Sequence, residues 1–233
     1  MSVQLPLALG LRAHSSFDNF SAGGNRELVA QLHCSAATAR DAVLFIAGNV
    51  GVGKTHLLEA SCRAADAAGR AAVYVPLALK AEFAPTLLEG LETRDVICLD
   101  DIDEVAGDRG WEQALFGLYE RARARACVWI ATAVHKPAQI DFGLRDLANR
   151  LQTGLVYSLH ALADTDKIAV VKTRATERGL SLSEEAAQYL LARYPRDLPA
   201  LLALLERIDR ESLAQQRKLT IPFLRSLLEP PPR

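Results

Sequence analysis

The sequence predicts an α/β domain on a five-stranded parallel sheet flanked by helices, followed by a small all-helical domain. Continuous apolar runs of strand length recur through the first part of the chain, as strands buried on both faces of a parallel sheet require. Helical patterns separate these runs, which argues for right-handed βαβ units. From Asp164 onward only helical patterns remain.

The opening stretch, MSVQLPLALGLR, is apolar but far shorter than the ~20 residues a membrane helix needs, and no basic region precedes it. No other stretch qualifies, so no membrane contact is expected. A polar, turn-rich segment, AHSSFDNFSAGGNREL, leads into a helix expected to end near Arg40. The first strand is AVLFIAGN, and THLLEASCRAADAAG follows as a helix with Gly69 as its C-terminal cap. The runs AAVYVPL and DVICLDDID give two further strands, WEQALFGLYERARARA a helix, and CVWIATAV a fourth strand. LVYSLHAL closes this part near Leu162. The helices TDKIAVVKTRATERG, SEEAAQYLLARYP, DLPALLALLERIDRESLAQQ and IPFLRSLLE fill the remainder. Ser183, followed by Glu184 and Glu185, reads as an N-cap with acidic residues at the positive end of the helix dipole. The expected divisions are residues 1–12, 13–162 and 163–233.

With 233 residues, half of them hydrophobic, the chain can bury a core of its own. Its 27 basic and 28 acidic residues leave a net charge of −1, so there is no global pull toward DNA or acidic membranes. Cys34, Cys62, Cys98 and Cys127 form no CxxC pair and no compact disulfide framework, which suggests reduced thiols and a cytoplasmic protein.

GNVGVGKTH places Gly48, four residues, Gly53, Lys54 and Thr55 between an expected strand and an expected helix. This is the context a P-loop needs. Glycines let backbone N–H groups wrap phosphate oxygens, and the following helix offers its positive end. Lys54 is expected at the β- and γ-phosphates and Thr55 on Mg²⁺. VICLDDID then supplies Asp100 for the metal and Asp101 to orient or polarise an attacking water. Two carboxylates at a buried strand end are costly without a compensating cation. Asp103 and Glu104 read as a solvated strand end.

These segments resemble the AAA+ ATPases, and within them the initiator clade of the bacterial replication initiator DnaA and its short relative Hda. The P-loop AAA+ fold with a helical lid is what the resemblance implies, over nearly the whole chain. GNVGVGKTHLL and CLDDID are similar to that clade's Walker A and Walker B, with Asp101 where many other members carry Glu. The resemblance implies that Gly48, Gly51, Gly53, Lys54, Thr55 and His56 line an ATP or ADP site, with ADP preferred. FDNFSAGGNREL looks like the segment against the adenine, making Phe17, Phe20 and Asn25 candidate contacts. WIATAVHKP resembles sensor 1, which puts Thr132 near the γ-phosphate; LRDLANRL resembles the arginine-finger segment, at Arg150; YPRDLPALL resembles sensor 2, at Arg196.

The layout is most like the Hda group. Only about a dozen residues precede the ATPase core, and the chain ends at Arg233 after the helical part, without the initiator's helix-turn-helix domain. QLPLAL then resembles the peptides that bind the DNA polymerase III sliding clamp, its β subunit, with Gln4 for a polar pocket and Leu5, Leu7 and Leu9 for an apolar groove. Ala8 departs from the Pro that often precedes the last leucine of such peptides. What the resemblance implies is a negative regulator of replication initiation, tethered to DNA through the clamp and stimulating hydrolysis of DnaA-bound ATP by Arg150. A stand-alone ATPase that loads a helicase or remodels a partner is the competing expectation, with a P-loop kinase of small substrates behind it. A homo-oligomer stays open.

Overall fold

The computed structural model describes residues 15–195, 197–215, 219 and 221–228. The chain divides between His160 and Ala161 into two compact units.

The first unit holds strands β1 (Val43–Ala47), β2 (Ala72–Pro76), β3 (Val96–Asp100), β4 (Val128–Ala133) and β5 (Leu155–Ser158). They form one parallel sheet in the order β2-β3-β4-β1-β5. Helices α1 (Arg26–Ala37), α2 (Lys54–Ala67), α3 (Arg109–Ala124) and α4 (Arg145–Gln152) cover it. The α2 end is built as expected: Gly69 adopts φ +71°, and Arg70 N–H returns to Ala65 O at 2.9 Å.

Every residue of β1, β3 and β4 is buried. Their side chains alternate between two cores. Phe45, Ile97, Leu99 and Trp129 meet Trp111, Leu115 and Leu118 of α3 on one face. Leu44, Ile46, Cys98 and Ile130 meet Leu32 of α1 and Leu57 and Leu58 of α2 on the other. A period of two along each strand feeds both layers.

The outer strands differ from the sequence expectation of continuous burial. β2 alternates between buried and half-buried residues, and in β5 Leu155 and Val156 are exposed. Both are sheet edges, where a strand has a neighbour on one side only. β5 is nonetheless held tightly at its start: a Cβ on Gly154 would lie 2.4 Å from Val43 O, so only glycine permits this approach of the chain to β1.

The second unit is all helical: α5 (Asp164–Glu177), α6 (Glu184–Arg193), α7 (Leu198–Gln215) and α8 (Ile221–Leu228). Its own core gathers Val171, Ala175, Leu190, Leu201, Leu205, Ile208 and Leu224. Ser183 caps α6 as expected, its hydroxyl accepting from Ala186 N–H at 3.2 Å. Among the described residues no helix is long and apolar enough to cross a membrane.

Candidate functional site

In an open α/β sheet, ligands bind beyond the carboxyl ends of the strands, where the strand order reverses. Here that point follows β1, between β4 and β5. Gly48 continues β1 by donating its N–H to Ala133 O at 3.0 Å. A Cβ there would lie 2.9 Å from Leu159 O. Gly51 and Gly53 take φ of +81° and +108°, and a Cβ on Gly53 would meet the Phe20 ring at 2.7 Å. The loop is therefore a glycine-only cradle that ends at the first turn of α2, whose free N–H groups favour an anion.

Lys54 opens α2 and is 6% exposed. Its Nζ donates to Gly48 O at 2.8 Å and Asn49 O at 3.4 Å, and stands 3.9 Å from Asp101 Oδ1. The ammonium is thus folded back on loop carbonyls, in reach of whatever anion the loop takes.

Asp100 ends β3 and is 2% exposed. Three hydroxyls donate to it: Thr132 to Oδ1 at 2.5 Å, and Thr55 and Tyr74 to Oδ2 at 2.7 and 2.8 Å. Buried charge survives when hydrogen bonds replace water, and this is how the carboxylate is carried here. Burial and the Asp100 charge push the Tyr74 phenol well above its ordinary range, so it remains a donor. Thr132 also accepts from Asp101 N–H at 3.1 Å, linking the two aspartates through one hydroxyl.

Asp101 stands outside the strand in the left-handed region, at φ 51° and ψ 55°, a conformation that costs energy for a residue with a Cβ. Burial and then the Asp100 charge raise its carboxyl to about 6, against the pull of Lys54. Asp103 is less solvated than the sequence suggested, because its Oδ2 accepts from Val134 N–H at 3.0 Å. It ties the segment after β3 to the end of β4.

The donor set around Asp100 is all oxygen, which suits a hard divalent cation. Magnesium takes only one or two protein oxygens and completes its shell with water and phosphate, so Thr55 and Asp100 beside the cradle fit it. The cradle and the Lys54 ammonium fit the phosphates of a nucleotide.

The aromatic candidates lie beside the P-loop helix. Phe20 packs on His56 with ring centroids 5.2 Å apart, and Phe17 meets His33 edge-on at 5.1 Å. A ring nitrogen of His56 hydrogen-bonds Ser16 O at 2.9 Å. The Asn25 amide is engaged elsewhere: Nδ2 donates to His160 O and Oδ1 accepts from His160 N–H, each at 2.9 Å. It clasps the end of the first unit to the start of α1.

Arg150 is not brought to this cluster. It sits in the last turn of α4, half-exposed, with Nε 2.9 Å from Glu120 Oε1. That turn leads through Gly154 to the amino ends of β5 and β1, a full strand away from the P-loop, or about 13 Å at ~3.3 Å per residue. Arg196 and the segment Gln4–Leu9 lie outside the described residues.

One site residue and one anchoring residue escaped the sequence reading. Tyr74 reaches the site from β2, and its only sequence signal is its place in an alternating edge strand. Glu112, 1% exposed on α3, accepts from Gly107 N–H at 2.8 Å, Gly143 N–H at 2.9 Å and Leu144 N–H at 2.7 Å. It anchors the segment that begins α4.

Among solved structures, domain III of the Thermotoga maritima replication initiation protein DnaA matches with a TM-score of 0.79 at 20% identity, over 94% of this chain and 97% of that one. DnaA from Aquifex aeolicus, bound to AMPPCP, matches with a TM-score of 0.71 at 23% identity, over 89% and 69%. The Thermotoga maritima RuvB Holliday junction branch migration motor matches with a TM-score of 0.72 at 15% identity, over 94% and 72%. The fold is therefore that of AAA+ proteins of the DnaA domain III kind. The family model described as the bacterial DnaA ATPase domain matches residues 11–158, and that described as the Hda lid domain matches residues 164–228. With a glycine-rich loop after β1, paired aspartates at the carboxyl end of β3 and a helical lid, the chain belongs to the DnaA/Hda-like AAA+ family.

Proposed function

We propose that the protein binds ADP or ATP with Mg²⁺ and acts as a negative regulator of replication initiation. It is tethered through Gln4, Leu5, Leu7 and Leu9 to the DNA-loaded sliding clamp and presents Arg150 to ATP held by DnaA. The observation that carries this reading is the position of Arg150, exposed and a strand length from its own P-loop. A guanidinium there is out of reach of a nucleotide on the same chain and open to one on another. Its partner Glu120 is as exposed as it is, and surface pairs of this kind are worth roughly 0–1 kcal/mol, so it can be released cheaply.

In this reading the cradle Gly48–Gly53 and the first turn of α2 bind the phosphates, and Lys54 swings from the Gly48 carbonyl onto them. Thr55 and Asp100 would hold the cation, which would supply neutralisation of the phosphate charge. Thr132 keeps Asp100 and Asp101 in register. Phe17, Phe20 and Asn25 are the proposed contacts to the base, His56 belongs to the P-loop segment, and Arg196 is the proposed sensor 2 arginine. The working complex is cytoplasmic and meets DNA through the clamp.

The test measures DnaA-bound ATP in the presence of clamp, DNA and either wild type or Arg150→Ala. Loss of the stimulated hydrolysis by a factor on the order of 10³ is expected, the scale of an arginine finger; equal hydrolysis overturns the mechanism. The complete set Lys54, Thr55, Asp100, Asp101 and Thr132 also suits a stand-alone ATPase that loads a helicase. Clamp dependence separates the two readings: a clamp pull-down that Gln4→Ala with Leu7→Ala abolishes supports the regulator, and turnover that ignores the clamp supports the loader.

A further inference from the structure

Tyr74 belongs to none of the motifs that mark the phosphate site, yet its hydroxyl donates to Asp100 Oδ2 at 2.8 Å. The sheet explains the approach. Tyr74 on β2 is paired in register with Cys98 on β3, and both side chains pack on the α2 face. Asp100, two residues beyond Cys98, is on the same face.

An ionised carboxylate offers about four lone-pair sites. Thr132 fills one on Oδ1, and Thr55 and Tyr74 fill two on Oδ2. One is left. A threonine hydroxyl that ligates a cation spends a lone pair and keeps its proton for Asp100, so Thr55 serves both partners. Tyr74 has no such second role, since its hydrogen bond among the described residues goes to Asp100 alone.

We propose that Tyr74 is a positioning residue for the divalent cation, acting through Asp100. Its hydroxyl fixes the carboxylate so that a single lone pair remains for the cation, and so sets how strongly nucleotide binding depends on that cation. This rests on the nucleotide-binding reading above. Removing the hydroxyl opens a second acceptor site on Oδ2 and leaves the carboxylate free to turn.

The test uses Tyr74→Phe, which keeps the ring and its packing. Binding of a fluorescent ADP to the full chain is followed during a Mg²⁺ titration and again in EDTA, with melting recorded in EDTA without nucleotide. The Mg²⁺ midpoint is expected to rise roughly tenfold, the scale of one hydrogen bond to a charged group. Affinity in EDTA is expected to stay as in wild type, and the melting temperature to fall by only a few degrees, because Asp100 keeps the Thr55 and Thr132 donors. An unchanged midpoint overturns the proposal, as does an equal loss of affinity with and without Mg²⁺. A variant that no longer folds in EDTA overturns it too, because the hydroxyl is then a structural prop. A wild-type chain that binds no ADP overturns the nucleotide-binding reading itself, a result distinct from all of these.

Discussion

At the scale of single residues, adjacent aspartates of identical chemistry have been given different environments. Asp100 is held by three hydroxyls, whereas Asp101 is strained, partly buried and raised to about 6. A carboxyl raised in the fold favours the protonated protein. Its contribution to stability is full below the ordinary carboxylate range and is lost as pH rises through about 6. The nucleotide-free melting temperature is therefore expected to fall between about pH 4 and pH 6, and Asp101→Asn should flatten that fall. Screening at a side chain that is 35% exposed keeps the effect modest. Thr132→Val should cost about 1–3 kcal/mol in chemical denaturation, since it takes a buried donor from Asp100 and an acceptor from Asp101 N–H. The P-loop glycines, Lys54, Thr55 and the aspartates were legible because their geometry is local: a few consecutive residues carry the loop and the helix start. Tyr74 and Glu112 were not, because what matters about each is a partner 26 or 31 to 32 residues away.

At the scale of elements, periodicity located each strand but not its rank in the sheet. VICLD and VLFIA are central, whereas AVYVP and LVYS are edges with only partial burial. A run of four or five apolar residues looks alike in both places, since the order β2-β3-β4-β1-β5 is decided by crossovers that no single run encodes. Gly154 shows the same limit: it reads as a loop residue, yet it sets how closely β5 can join β1. Gly154→Ala would bring a methyl group to 2.4 Å from Val43 O, and overpacking of this kind costs about 1–3 kcal/mol. Chemical denaturation should show that loss, with the exposed face of β5 gaining hydrogen exchange first.

At the scale of the whole molecule, the change from alternating strands and helices to helices alone was enough to mark the second unit in the sequence. Among the described residues, two separate cores serve the sheet and a third serves the helical unit, with no residue shared. Exchange of α5–α8 amides is accordingly expected to proceed through openings that leave β1, β3 and β4 protected; a single transition for all amides would refute that independence. What the sequence could not supply was the anchoring of α4. Glu112 receives the N–H groups of Gly143 and Leu144, immediately before that helix. Arg150 lies six residues beyond Leu144, about 9 Å at ~1.5 Å per residue. Glu112 thus fixes the start of the helix while Leu147 and Leu151 seat its buried face in the core, and a tilt of ~10° at that start would carry its far end more than about 1 Å. Misplacement by that distance is enough to cost a reaction on the order of a hundredfold. For the trans role proposed for Arg150, the aim of the guanidinium then depends on a buried glutamate of the neighbouring helix α3.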